Sequence, residues 1–408
     1  MSEVHLDNEL IIGLAEKYGT PLYVYNGDLI VKRYGELHDF IDFPGLKILY
    51  AMKANYNYHI LRLLEQKNAS LDTVSPAEVL LALKAGYTAD RILYTANNMT
   101  DEEMFFVKES EVMFNIDSCT RLEKYGRAFP GDEVCLRFNP DVMAGFHENV
   151  MTGGAITKFG ILPGDVERVL DIVKKYDLTV VGLHEHTGSG LYDENKVYES
   201  MKNLLSIASP ENFPHLRFID FGGGFAVPYK PDDTKINYEK FGNNMNIIYT
   251  TFCSEYGRDL ELYFEPGKYI VAESGYLLME ANTVKNNRGR LIVGTNSGFP
   301  QLIRPTYYGA YHQVVNLTNP HGEPKKYDVC GNICETGDVF AKQRELSEVR
   351  EGDILAIRNA GAYCYSMGGV YNLRSMPAEV FCIEGKAALS RRRLSSSELV
   401  ENILGECV

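Results

Sequence analysis

Several side chains in this sequence stand where reactive chemistry could be done, and the first is a lysine. Lys53 lies in Tyr50-Ala-Met-Lys-Ala-Asn55, a lone cation emerging from an apolar run with alanines close on either side. Most lysines are solvated surface charges. One that is partly desolvated loses proton affinity and can form a Schiff base with an aldehyde. Gly222-Gly-Gly224 would let backbone N–H groups approach a phosphate closely, and Ser189 in Gly188-Ser-Gly190 could add a hydroxyl donor to the same anion. The competing reading of the glycines is a tight turn with no ligand. Glu265, in Glu265-Pro-Gly-Lys268, could pair with a protonated pyridine nitrogen, the alternative being a structural ion pair. His186, in His184-Glu-His-Thr-Gly-Ser189, could stack on a flat ring. His184 and His186, two apart on one strand face, could instead ligate a metal, but no third ligand is identifiable, so no metal is assigned.

These residues acquire a common location once the elements that carry them are read. Between residues 46 and 265, short β-branched or aromatic runs alternate with amphipathic stretches, which predicts a parallel sheet with helices outside. Eight runs are found: Leu46–Met52, Ala69–Val74, Ile92–Thr95, Val112–Ile116, Val134–Phe138, Val180–Glu185, Arg217–Phe221 and Glu261–Phe264. Eight is the number that closes a (β/α)₈ barrel, with an open doubly wound sheet as the alternative. Tyr58–Lys67 and Pro76–Ala85 read as connecting helices. In a barrel the chemistry gathers at the C-terminal strand ends. In order these ends present Lys53, Asp72, Asn97, Asp117, Arg137 with Asn139, His186, the glycine run and Glu265.

After about residue 268 the rhythm becomes strand-like, with runs at Tyr269–Ala272, Gly275–Asn282, Arg290–Thr295, Tyr327–Cys330, Asp353–Arg358 and Ala378–Ile383. The expected organisation is therefore an N-terminal segment over 1–30, an α/β (β/α)₈ (TIM) barrel over 31–268, and an all-β domain over 269–408. Ser395 and Glu398 form a capping-box pattern that predicts a terminal helix. Arg391–Arg393 reads as a solvated turn rather than a binding patch.

Composition narrows the partners. The 408 residues carry 55 acidic against 41 basic side chains, net −14, which disfavours a non-specific grip on nucleic acid or anionic lipid. A small molecule is the expected partner. Neither a secretory leader nor eighteen uninterrupted apolar residues are present, and eight scattered cysteines without a CxxC pair suggest a reduced, cytoplasmic protein.

A lysine, a phosphate cradle, a ring-stacking group and a pyridinium partner are together what pyridoxal 5'-phosphate needs. The same residues resemble the alanine-racemase-like pyridoxal-phosphate decarboxylases over nearly the whole chain. The likeness is carried in order by Tyr50-Ala-Met-Lys-Ala-Asn55, Asp72-Thr-Val-Ser-Pro-Ala-Glu78, Leu136-Arg-Phe-Asn-Pro140, Lys158-Phe-Gly160, His184-x-His-x-Gly-Ser189, Phe221-Gly-Gly-Gly224, Arg304-Pro-Thr-Tyr-Tyr-Gly-Ala310, Cys334-Glu-Thr-Gly-Asp338 and Gly361-Ala-Tyr363. The resemblance implies a barrel plus a β domain that an N-terminal strand near Pro21–Tyr25 completes, assembled as a homodimer with shared active sites. It implies that Lys53 carries the cofactor, His186 stacks on it and Glu265 holds its nitrogen. Ser189, Gly222, Gly223, Gly224, Gly267, Lys268 and Tyr363 would bind phosphate or its surroundings, with Asp72, Glu78 and Arg137 supporting the lysine.

By the same resemblance Cys334 of the partner chain is the proton donor, Glu335 grips a distal ammonium, and Arg304, Tyr308, Lys268 and Tyr363 bind substrate. Lys158 and Asp338 match an ion pair across the dimer interface. The activity implied is decarboxylation of meso-2,6-diaminopimelate to L-lysine and CO2. The alternative is a decarboxylase of ornithine, lysine or arginine, whose simple amine would leave Arg304 without a carboxylate to bind. Four departures from the family pattern stand out: Lys268 where relatives carry Arg, Gly190 in place of Gln, Thr187 in place of an aliphatic residue, and Gly368-Gly369 in a place usually held by serine.

Overall fold

The computed structural model describes residues 6–142, 157–189, 192–233 and 236–405. Gly190 and Cys407 fall outside them. The chain divides into two compact units, one formed by residues 33–227 and 234–269, the other by 1–32, 228–233 and 270–408.

The chain enters the second unit first, through helix Asn8–Tyr18 and strand β1 (Leu22–Asn26), all five residues of which are buried. It then builds eight parallel strands: β2 (Leu46–Ala51), β3 (Ser70–Thr73), β4 (Ile92–Tyr94), β5 (Met113–Ile116), β6 (Glu133–Arg137), β7 (Thr179–His184), β8 (Phe218–Asp220) and β9 (Glu261–Phe264). Each pairs with the next, and β9 returns to β2 through Leu46↔Leu262 and Ile48↔Phe264, closing the barrel. All eight expected runs are strands, within one or two residues at each end.

The helices between them start where local chemistry supplies a cap. Asn57 accepts from the His59 N–H ahead of Tyr58–Gln66, whose Ile60, Leu61, Leu63 and Leu64 are buried. Ser75 caps Pro76–Lys84, where proline costs nothing because a first-turn N–H has no helical acceptor. Inside the barrel Leu49, Leu93, Cys135 and Phe218, from alternate strands β2, β4, β6 and β8, pack together with Val181 of β7. Gly182 is required beside them, because a Cβ there would lie 2.1 Å from the Phe218 ring.

The second unit is a sheet of nine strands. After the barrel come β10 (Gly275–Asn287), β11 (Arg290–Thr295), β12 (Val314–Asn316), β13 (Pro324–Cys330), β14 (Val339–Ser347), β15 (Ile354–Ile357), β16 (Ala378–Ile383) and β17 (Lys386–Arg391). The order is β14-β13-β11-β10-β1-β16-β17, with β15 joining β10 and β12. Strand β1 thus sits inside the sheet, antiparallel to β10 and parallel to β16. Ile11, Leu14, Leu22, Val24, Leu278 and Val380 share its core.

Two expectations are corrected here. Tyr269–Ala272 is not a strand: Lys268–Val271 is a short helix. Tyr269, Ile270, Val271 and Ala272 are all at most 8% exposed, and four consecutive buried apolar residues carry no period that separates a strand from a helical turn. Nor is Arg391–Arg393 a solvated turn. Arg391 ends β17 opposite Glu379 and ion-pairs with its fully buried carboxylate at 2.7 Å. Arg393 Nη2 donates to the carbonyls of Gly19 and Pro21. The terminal helix runs Ser396–Leu404, with the Ser395/Glu398 capping box formed.

Candidate active site

In the barrel unit the C-terminal strand ends collect an unusual number of buried charges. Lys53 sits in a single 3-10 turn, Met52–Ala54, directly after β2, and its Nζ ion-pairs with Asp72 Oδ2 at the end of β3. Asp72 is fully buried, and its pKa is raised by that burial and by the nearby Glu265 charge, against which Lys53 acts. Glu78 accepts the Val74 N–H at 2.8 Å and is pushed up to about 7 by burial. Arg137, the last residue of β6, is 6% exposed and lies 4.7 Å over the Phe159 ring.

His184 closes β7, and its Nε2 lies 3.2 Å from Glu265 Oε2, just beyond β9. His184 is fully buried and held neutral, first by burial and then by Arg137. His186 is oriented differently: the Gly223 N–H donates to its Nδ1 at 3.1 Å, so the ring proton resides on Nε2. Gly222 has φ +63°, and a Cβ there would lie 2.6 Å from His186 Nδ1, while one on Gly223 would lie 2.4 Å from the Glu265 carbonyl oxygen. Glycine is therefore obligatory at both positions. Ser189 is half-buried after β7, and Lys268, 7% exposed, begins the short helix after Gly267.

The residues fit pyridoxal phosphate on structural grounds. Glu265 Oε1 is buried and receives no N–H donor from the described residues, an acceptor of the kind a pyridine N–H would satisfy. A lysine amine, a carboxylate against it, an imidazole of fixed tautomer and a glycine run free of Cβ atoms lie at neighbouring strand ends of one barrel. The sequence reading found no third ligand beside the histidines, yet the fold brings Asp220 and Glu265 to His184, with donor atoms all within 4.8 Å. His186 is not part of that trio. Asp220 was missed as a functional residue, although an aspartate closing the apolar strand Phe218-Ile-Asp was a signal that could have found it.

The other candidates lie in the second unit. Arg304 is 3% exposed, forms no ion pair among the described residues, and lies 4.5 Å over the Tyr229 ring. Its Nη1 stands 3.1 Å from His312 Nε2, while His312 Nδ1 donates to the Arg358 carbonyl at 3.0 Å. His312 is thereby neutral, pushed down to about 3 chiefly by burial and then by the Arg304 charge. Tyr229 and His312 had no signal in the sequence. Tyr308 reaches Met367 Sδ at 4.0 Å. Cys334 and Glu335 are exposed; the Cys334 N–H donates to Asn372 Oδ1, and Tyr371 donates to Glu335 at 3.1 Å. Tyr363 is held at φ +56°, a costly left-handed conformation for a tyrosine, as is common near binding sites. Asp338 uses both oxygens within its own chain, accepting from Phe299 and Ile333 N–H groups at 2.7 and 2.8 Å. Lys158, in the barrel unit, is exposed and lies 5.2 Å over the Phe159 ring.

A lysine-bearing eight-stranded barrel followed in the same chain by a β unit defines a class, and residues 28–272 match the family model for the pyridoxal-binding domain of pyridoxal-dependent decarboxylases. The chain belongs to that family. Its relatives include the diaminopimelate decarboxylase of Methanothermobacter thermautotrophicus, 39% identical over 98% of this chain and 96% of the relative. The enzyme of the same name from Escherichia coli K12 is 32% identical over 98% and 97%. Among solved structures, diaminopimelate decarboxylase from Helicobacter pylori complexed with L-lysine superposes with a TM-score of 0.89, at 30% identity, over 98% of this chain and all of that one.

Proposed function

We propose that this chain decarboxylates meso-2,6-diaminopimelate to L-lysine and CO2, the last step of lysine biosynthesis, as a cytoplasmic homodimer with active sites shared between chains. The observation that carries the substrate choice is Arg304, a buried guanidinium that forms no ion pair among the described residues. A buried cation needs an anion, and the distal carboxylate of diaminopimelate supplies one where the simple amine of ornithine or lysine does not.

Bound pyridoxal phosphate supplies a carbonyl that condenses with the substrate amine and a ring that accepts the electron pair released with CO2. Lys53 would hold the cofactor through its amine, which the ion pair with Asp72 positions at the end of its turn. Glu265 would accept from a protonated ring nitrogen. His186, oriented by the Gly223 N–H, would lie against the ring. Ser189, Gly222 to Gly224, Gly267, Lys268 and Tyr363 bind the phosphate region, and Arg137 balances the carboxylates. Cys334 returns a proton to the substrate α-carbon. Glu335 grips the distal ammonium while Arg304 and Tyr308 take the distal carboxylate. Lys268 makes a single-point contact where an arginine would make a forked one.

The test is CO2 release from the cofactor-loaded protein offered meso-diaminopimelate, ornithine, L-lysine and D-lysine in turn. Selective turnover of diaminopimelate is expected. Turnover of ornithine or lysine instead would overturn the substrate assignment and favour the simpler decarboxylase.

A further inference from the structure

Asp220 has no part in the roles assigned above, yet it ends β8 at the centre of the barrel's buried charge. Its Oδ1 accepts the Gly222 N–H at 2.8 Å, and its Oδ2 is buried and accepts no N–H from the described residues. Asp220 and His184 are 0% exposed and Glu265 is 5% exposed. One donor atom from each lies within 4.8 Å of the others.

Two carboxylates enclosed this closely do not both ionise; they share a proton. The surroundings decide which one keeps it. Burial raises the pKa of Glu265, and Lys53, Arg137 and a hydrogen bond with Asp220 act against that rise and favour its charged form. Asp220 faces the carboxylates of Glu265, Asp72 and Glu185, with a single backbone N–H in its favour. Arg137, Asp72 and Lys53 complete the charged groups that act on His184, which stays neutral and carries its proton toward Glu265 Oε2.

We propose that Asp220 stands as the neutral acid and, with His184, is the positioning pair for Glu265: both donate to its carboxylate, keeping it ionised and fixed in rotation beneath the ring nitrogen. This rests on the pyridoxal-phosphate reading only in naming what Glu265 meets. Glu265 Oε1, buried and receiving no N–H donor from the described residues, has a lone pair open to that nitrogen. The arrangement explains how a glutamate surrounded by three other buried carboxylates retains its charge.

Two measurements test it. In cofactor-free protein near neutral pH, infrared difference spectra should show a protonated carboxyl C=O stretch that disappears in Asp220→Asn; if no such band is lost, Asp220 is ionised and the proposal is overturned. Should the variant not fold, carboxyl-¹³C aspartate in the wild type reads the same band by its isotope shift. In loaded protein, the ¹⁵N signal of ring-labelled pyridoxal phosphate reports protonation of the ring nitrogen. Asp220→Asn, which can still donate to Glu265 and accept from Gly222, should keep that nitrogen protonated and hold cofactor affinity within about threefold. Asp220→Leu, which can do neither, should lose the protonated signal and weaken cofactor binding by about tenfold or more. Equal damage in both variants would show that the charge of Asp220 matters, and would overturn its neutral role. Absence of any bound ring signal in the wild type would instead refute the cofactor reading and leave the infrared result standing.

Discussion

Glu185, between His184 and His186, offers a sharp test of how the barrel manages buried acid. It is 1% exposed; Thr187 Oγ1 lies 3.1 Å from its Oε2 and 2.8 Å from Ser200 Oγ, and its Oε1 has no partner. Burial pushes its pKa up to about 8 from 4.5. The folded protein therefore holds this proton while the unfolded chain releases it. Stability from Glu185 is complete below pH 4.5 and is lost as pH rises toward 8. At about 1.4 kcal/mol per pH unit, the whole span is worth at most roughly 5 kcal/mol, and the part between pH 5 and pH 7 about 3 kcal/mol. Glu185→Gln has no proton to lose. The unfolding free energy of the variant minus that of the wild type should therefore grow by about 3 kcal/mol from pH 5 to pH 7 in urea titrations of cofactor-free protein. Other buried acids, such as Glu78, titrate in both proteins and cancel in the difference. A difference that stays constant, or shrinks as pH rises, would refute the assignment of Glu185 as a neutral buried acid.

Three further outcomes are expected. Inactive Lys53→Ala and Cys334→Ala proteins, mixed and allowed to exchange subunits, should recover about a quarter of wild-type CO2 release, since half the dimers are hybrids with one intact site of two; no recovery would count against shared sites. Arg304→Ala should lower kcat/KM for diaminopimelate by about a hundredfold, the scale of a lost charge-assisted hydrogen bond, and an unchanged value would remove the arginine from substrate binding. Arg391→Met removes the cation beside the fully buried Glu379 carboxylate, which also accepts the Tyr25 hydroxyl at 2.8 Å. That should cost about 2 kcal/mol in thermal unfolding, less than a fully enclosed pair because the arginine is 37% exposed, and Glu379→Gln in the same chain should recover part of it.

Much of the barrel was legible because parallel strands buried on both faces read as unbroken apolar runs, each ended by a polar residue at the mouth. Lys53, Asp72, Arg137, His186 and Glu265 stood out for that reason. The second unit was harder. Strand β17 is largely exposed along Lys386–Leu389, and β14 carries Lys342, Gln343, Arg344 and Glu345 in succession, so neither shows the alternation that marks a strand. Asp220 carries only a weak signal by itself, because a lone aspartate ahead of a glycine run reads equally well as part of the turn. Arg304, Cys334 and Glu335 were reached only through the family resemblance, since nothing in their spacing relates them to residues near the other end of the chain.

Strand β1 is made early and completed late. Its five buried residues pair with Gly275–Leu278 on one side and Ala378–Cys382 on the other, so a growing chain must carry the strand unpaired until about 250 further residues have been synthesised, and with one edge open for about 100 more. The barrel segment between can fold in the meantime. A truncated chain that ends anywhere before β16 would leave one edge of Leu22–Asn26 bare and apolar, a ready target for proteolysis or aggregation. The same strand that fills the sheet in the finished protein thereby serves as a length check on its own manufacture.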